Sequence, residues 1–70
     1  MQRVEVTSTS LASVGYDQRS RTLEVEFQSG SVYHYQQVPY AVARGLARAD
    51  SIGAYFMRRI RGQYAYTRVE

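Results

Sequence analysis

The chain has 70 residues, a single His, no Cys and a formal net charge of +3. A domain of this size buries only about 60% of the surface its unfolded chain exposes, so its core depends on a few large side chains. Seven Tyr and two Phe supply them. The absence of Cys excludes a disulfide framework and a thiolate zinc site, and one His leaves no adequate set of nitrogen ligands; neither metal nor cofactor is expected. No apolar run approaches the ~18 residues of a membrane span and no signal-peptide segment is visible, so a cytoplasmic protein is expected.

All nine basic residues are Arg. Codon bias in a GC-rich genome accounts for this without any function; the functional alternative is the planar guanidinium fork, which suits phosphate and nucleobase contact. The distribution is more telling than the type. Residues 1–38 hold three Arg against four acids, a net of −1, whereas residues 39–70 hold six Arg against two acids, a net of +4. The basic character belongs to the C-terminal half.

Val4 and Val6 alternate with Arg3, Glu5 and Thr7, which predicts a short extended lead-in before the polar break Ser8-Thr9-Ser10. From Leu11 to Tyr16, Ala12, Val14 and Tyr16 fall on one side of a strand, with Ser13 and Gly15 on the other. Asp17-Gln18-Arg19-Ser20 reads as a turn, since Asp at the first position bonds backbone two residues on. Thr22–Phe27 alternates cleanly: Leu23, Val25 and Phe27 inward, Thr22, Glu24 and Glu26 outward.

Two turns are open between Phe27 and Val32. A two-residue Ser29-Gly30 turn demands positive φ at both positions, where Ser is poor. A three-residue loop, Gln28-Ser29-Gly30, demands it only at Gly30, as in a type I turn followed by a G1 bulge. The second is preferred. It sets Val25 opposite Tyr33 and Leu23 near Tyr35, with both tyrosines on the core face and Val32, His34 and Gln36 turned outward.

Pro39 begins a helix, where its missing N–H is harmless. Val42, Leu46 and Ala49 form a core stripe with Ala43 beside it, while Tyr40, Arg44 and Arg48 recur on another face. Gly45 allows close packing on the sheet. Ser51 is an N-cap for a second helix whose inner face is Ile52, Tyr55 or Phe56, and Ile60. Arg58, Arg59 and Arg61 crowd its last turn, at the negative end of the helix dipole, and Gly62 stops it. Tyr64, Tyr66 and Arg68 then alternate with Ala65, Thr67 and Val69 as a final strand. The order predicts an α+β domain spanning 1–70: a three-stranded antiparallel meander covered on one face by two helices, with short terminal strands.

The chemistry-bearing residues do not assemble into an enzyme. His34 has no adjacent nucleophile, the Glu24/Glu26 pair reads as a soluble sheet face, and no phosphate-binding glycine loop is present; no catalytic residue is assigned. Nucleic-acid binding is better supported. Arg58, Arg59 and Arg61, followed by Tyr64 and Tyr66 and extended by Arg44 and Arg48, combine phosphate contact with base stacking. Dipole compensation and core filling explain the same residues structurally. The competing class is a protein-interaction or self-association module, using an outer sheet face of Val32, His34, Gly15 and Leu11 or an exposed edge strand.

The chain resembles the KTSC domain family, named for its occurrence at the C-terminus of some lysyl-tRNA synthetases and also found alone in bacterial proteins. The resemblance rests on Tyr33-His34-Tyr35, Ser13-Val-Gly-Tyr-Asp17, Leu23-x-Val-x-Phe27, Gly30, Val38-Pro39, Ala49-x-Ser-x-Gly53, and Tyr55-Phe56 followed by Ile60-Arg61. Met57 departs from it, standing where a polar residue is expected. Association with a tRNA-charging enzyme implies an RNA partner, tRNA included. Tyr33 and Tyr35, the shared Tyr-x-Tyr, are expected to be mainly structural.

Overall fold

The computed structural model describes residues 2–70. Its elements are β1 (Arg3–Glu5), β2 (Leu11–Asp17), β3 (Thr22–Phe27), β4 (Val32–Tyr35), α1 (Tyr40–Arg48), α2 (Ile52–Arg59) and β5 (Tyr66–Arg68). All strands join one sheet in the order β1-β2-β3-β4-β5, each pair antiparallel. The three-stranded meander of the sequence reading is therefore extended to five strands by a short strand at each edge. The last of them returns after both helices to pair with β4.

The β3–β4 hairpin follows from Gly30. Its φ of 97° lies in the left-handed region, where a Cβ would be strained. The Gly30 N–H donates to Phe27 O at 2.9 Å and the Phe27 N–H to Ser31 O at 2.9 Å, closing the three-residue loop. Val25 consequently faces Tyr33 and Leu23 faces Tyr35. The expected register is the one observed.

Strand β2 departs from simple alternation. Leu11 pairs with Phe27 but Ser13 pairs with Glu26, so Ala12 is an extra residue in a β-bulge. One inserted residue reverses the inward set on its N-terminal side. Leu11, expected on the outer face, is fully buried in the core, whereas Ala12 is only half-buried; Val14 and Tyr16 point inward as expected. Val32 also departs from its outward reading, being 3% exposed. It exchanges backbone hydrogen bonds with Val69 and Glu70, whose backbone runs alongside it.

The core gathers Leu11, Leu23, Val25, Val38, Leu46 and Ile60, all under 2% exposed, with Tyr35 and Phe56 beside them. Helix α1 contributes Ala43 and Leu46 and keeps Val42 half-buried against the cluster. The Tyr16 hydroxyl donates to Val38 O and fastens the chain just before Pro39, the residue capping α1. Ser51 caps α2, its hydroxyl accepting from the Ala54 N–H at 3.3 Å. Gly45 packs not on the sheet but against Tyr55 of α2, whose hydroxyl donates to Val42 O at 3.0 Å. The missing side chain thus sets the approach of the two helices. Gly62, at φ 79°, turns the chain away after α2.

Gly15 lies opposite Arg3, and a Cβ placed there would stand 2.6 Å from the Gln2 carbonyl oxygen. Backbone cannot yield as a flexible side chain can, so Gly15→Ala should push β1 off the sheet while leaving β2–β4 paired. Amide exchange of Arg3–Glu5 and their β2 partners should accelerate, with β3–β4 amides still protected. Unchanged protection at β1 would refute the close approach.

Candidate functional site

Strand alternation places Tyr33 and Tyr35 on the same face of β4 as the core. The β4–β5 register then sets Tyr66 directly opposite Tyr35. Across from them α2 presents Phe56, Met57 and, just past its end, Arg61. Between these elements lies a groove of about 510 Å³, with Phe27, Tyr33, Tyr35 and Phe56 as its aromatic lining, Ser10, Ser29 and Ser31 near the hairpin, and Met57, Arg61 and Tyr66 along its margin. The rings form one connected cluster. Phe27 meets Tyr33 and Phe56 edge-on at 5.4 Å each, and Tyr35 meets Phe56 edge-on at 5.5 Å. Tyr66 stands 5.5 Å from Tyr33 and 5.7 Å from Tyr35, yet is itself 62% exposed.

The tyrosines of this cluster differ from the half-buried Tyr16 and Tyr55. Tyr16 and Tyr55 donate to the Val38 and Val42 carbonyls. The hydroxyls of Tyr33, Tyr35 and Tyr66 bond no protein group among the described residues; since no buried side-chain oxygen or nitrogen is left unpaired there, they open to the groove rather than being sealed in the core. Burial, reinforced by the neighbouring Tyr33 and Tyr66 phenols, pushes the Tyr35 hydroxyl above its usual pKa, and Arg61 opposes the shift. Arg61 lines the same groove as the phenol cluster. Its Nη1 also donates to Met57 Sδ at 3.5 Å, one helical turn earlier. Flat aromatic surface beside a cation and hydroxyl donors can stack a planar group and hold an anion.

The arginines expected to act as one patch are divided. Arg61 and Tyr66 reach the groove. Arg59 instead lies over the Tyr55 ring, 5.7 Å from its centroid, on the side of α2 that meets α1. Arg58, Arg44 and Arg48 are outside the buried core and do not line the groove, and Tyr64 is half-buried against the core, preceding β5 rather than within it. Tyr33 and Tyr35 belong to the core and also line the groove, a double position that the sequence reading missed. Only the pairing of β4 with a strand from the chain end reveals it.

The outer sheet face carries a separate polar network. Glu24 receives both His34, with Nε2 2.7 Å from Oε1, and Arg3, with Nε 3.3 Å from Oε2. Arg3 also approaches Glu26 at 3.8 Å, and the Ser13 hydroxyl donates to that carboxylate at 2.8 Å. His34 thus lies in an ion-pair cluster on the face opposite the groove. Among the described residues, no three His, Cys, Asp or Glu side chains converge on a common metal position.

Residues 7–64 match the family model of the KTSC domain. The chain belongs to the KTSC domain family. A crystal structure of a KTSC domain protein from Yersinia pestis superimposes with a TM-score of 0.96 at 32% identity, covering 99% of this chain and 97% of that one. An uncharacterized protein of Stutzerimonas stutzeri is 45% identical over 71 residues, with full coverage of both chains. Lysine–tRNA ligases of Nostoc sp. and Nostoc punctiforme are 45% and 43% identical over 51 residues, which is 73% of this chain but 9% of each ligase. The KTSC domain thus occurs as a small protein of this length and as a minor part of a tRNA ligase.

In this KTSC domain the raised Tyr35 pKa gives a signed prediction. An unfolded tyrosine ionises near 10.0, and the folded state holds the Tyr35 proton above that value. The stability it confers is intact below the unfolded value and is lost as pH rises through the folded one. Melting temperature should fall more steeply above pH 10 in the wild type than in Tyr35→Phe, which has no proton to lose. Identical alkaline slopes would exclude the desolvated phenol as the cause.

Proposed function

We propose that this KTSC domain is a non-catalytic RNA-binding module that engages single-stranded or irregular RNA of the translation apparatus through the Arg/Tyr surface at the end of α2. The observation that carries the reading is the placement of Arg61 beside the exposed Tyr66 over an aromatic groove. A ring offers a stacking face to any base, at roughly 1–3 kcal/mol per stack, and a guanidinium reaches the adjoining phosphate. Arg58, on the same stretch, adds sequence-independent attraction, as do Arg44 and Arg48 on α1 and Arg59 against Tyr55. The sequence shared with lysine–tRNA ligases makes tRNA the first RNA to test.

A second reading is a protein-interaction module, supported by the unpaired outer edge of β1, where Val4 is 68% exposed. The outer-face version of that reading loses two of its residues, because Leu11 and Val32 are buried.

A titration against bulk tRNA and a single-stranded RNA at two salt concentrations separates the readings. RNA binding predicts affinity that falls steeply with salt, and a log–log slope that shrinks by about 0.7–0.9 for each phosphate-binding cation removed. Arg58→Gln with Arg59→Gln should reduce the slope, and adding Arg61→Gln should also remove affinity contributed by the groove. No saturable binding by the wild type at low salt would reject an RNA function and bring the β1 edge forward.

A further inference from the structure

We propose that the groove is a one-nucleotide site, in which a single phosphate is received by the Tyr33, Tyr35 and Tyr66 hydroxyls and the Arg61 guanidinium while its base lies against the surrounding rings. This deepens the RNA reading and rests on it: the unit recognised is one unpaired nucleotide, at a strand end or bulge, rather than a length of duplex.

Tyr35 gives the strongest indication. The residue is 4% exposed, so its ring is held as firmly as any core side chain. Its hydroxyl is not sealed in with the ring: no buried side-chain oxygen or nitrogen is left without a partner among the described residues, and the Tyr35 hydroxyl, which bonds no protein group, opens on the groove that the residue lines. Tyr16 and Tyr55, by contrast, each turn the hydroxyl to a protein carbonyl. A phenylalanine would fill the Tyr35 position equally well if packing were its whole role. The hydroxyl is a fixed donor suited to an acceptor from outside the chain.

The groove's composition identifies that acceptor. Among the described residues its charged lining is Arg61 alone; no Asp or Glu contributes, and the polar side chains are Tyr and Ser hydroxyls. One guanidinium with neutral donors matches one phosphate, whose oxygens accept several hydrogen bonds at once. A duplex backbone would require a row of cations, and the remaining arginines of α1 and α2 lie outside the groove. The volume of about 510 Å³ falls within the range of small-ligand pockets, roughly 300–1,000 Å³. Exposed Tyr66, tilted 38° to both Tyr33 and Tyr35, offers the base a face that no protein ring covers completely.

The test uses the full chain, with adenosine monophosphate, adenosine, a short single-stranded RNA and a peptide bearing a free C-terminal carboxylate as ligands. Binding is followed by amide chemical shifts in the wild type, Tyr35→Phe and Arg61→Gln. The monophosphate should shift Tyr33–Tyr35 and Tyr66–Arg68 amides saturably. Its affinity should fall roughly 3- to 10-fold in Tyr35→Phe, the range expected for one hydrogen bond, and further in Arg61→Gln. Adenosine should bind more weakly and be indifferent to Tyr35→Phe, while thermal melts verify that the variant is folded. RNA binding unaffected by Tyr35→Phe, with no monophosphate response, would overturn the one-nucleotide site and leave the RNA function standing. Monophosphate binding that depends on Tyr35, without RNA binding, would support the site and reject the RNA function. Carboxylate-peptide binding that depends on Tyr35, without a monophosphate response, would overturn the nucleotide assignment.

Discussion

The left-handed turn at Gly30 is the constraint from which the remaining architecture follows. Only a residue without Cβ adopts its φ of 97° cheaply, and that conformation closes a three-residue loop instead of a two-residue one. The choice fixes which face of β4 carries its tyrosines. Had the loop been one residue shorter, Val32 and His34 would face the helices and the tyrosines would face solvent. The aromatic cluster, its packing on Phe56 and the groove beside α2 would then not exist.

The same tyrosines hold the core and line its opening. Small domains have little apolar surface to bury, so each aromatic ring is a large fraction of the total. Phe27, Tyr33, Tyr35 and Phe56 meet mainly edge-on, and Tyr33 and Tyr35 also line the groove. A domain can thereby present polar donors on side chains whose bodies are immobilised by packing. Fixed donors bind with a smaller entropic penalty than donors on flexible surface side chains. Tyr35 has this character fully and Tyr33 in part, whereas Tyr66 and Arg61 are exposed.

Charge is partitioned with equal clarity. The outer sheet face holds the acids Glu24 and Glu26 in a network with Arg3 and His34, while among the described residues no acid lines the groove. Anions therefore meet carboxylates on one face of the sheet and a guanidinium on the other. The arginines near the end of α2 are divided by helical geometry: Arg61 extends the line from Met57 toward the groove, and Arg59 that from Tyr55 toward α1. Residues clustered in sequence need not share a surface, because successive positions on a helix point about 100° apart.

Much of the fold was legible in the chain because the deciding signals were local. Alternation over Leu23–Phe27, the demand of Gly30 for positive φ, Ser51 as a cap and Gly62 as a stop each act within a few residues and appear where their chemistry predicts, though Thr22, expected outward, is buried. Family membership was legible for the same reason, from short motifs in a fixed order. The bulge at Ala12 was not, since an extra residue is defined only against the partner strand, and it carried Leu11 from the expected outer face into the core. The burial of Val32 and the packing of Gly45 on Tyr55 were likewise set by segments distant in sequence. The candidate site was half legible. Arg61 and Tyr66 stood out as basic and aromatic residues near the chain end, but Tyr33 and Tyr35 read as core alone. Tertiary structure alone could make them both core and site, because the return of β5 to the edge of β4 brings Tyr66 beside their rings, and the packing of α2 brings Arg61 to the same groove.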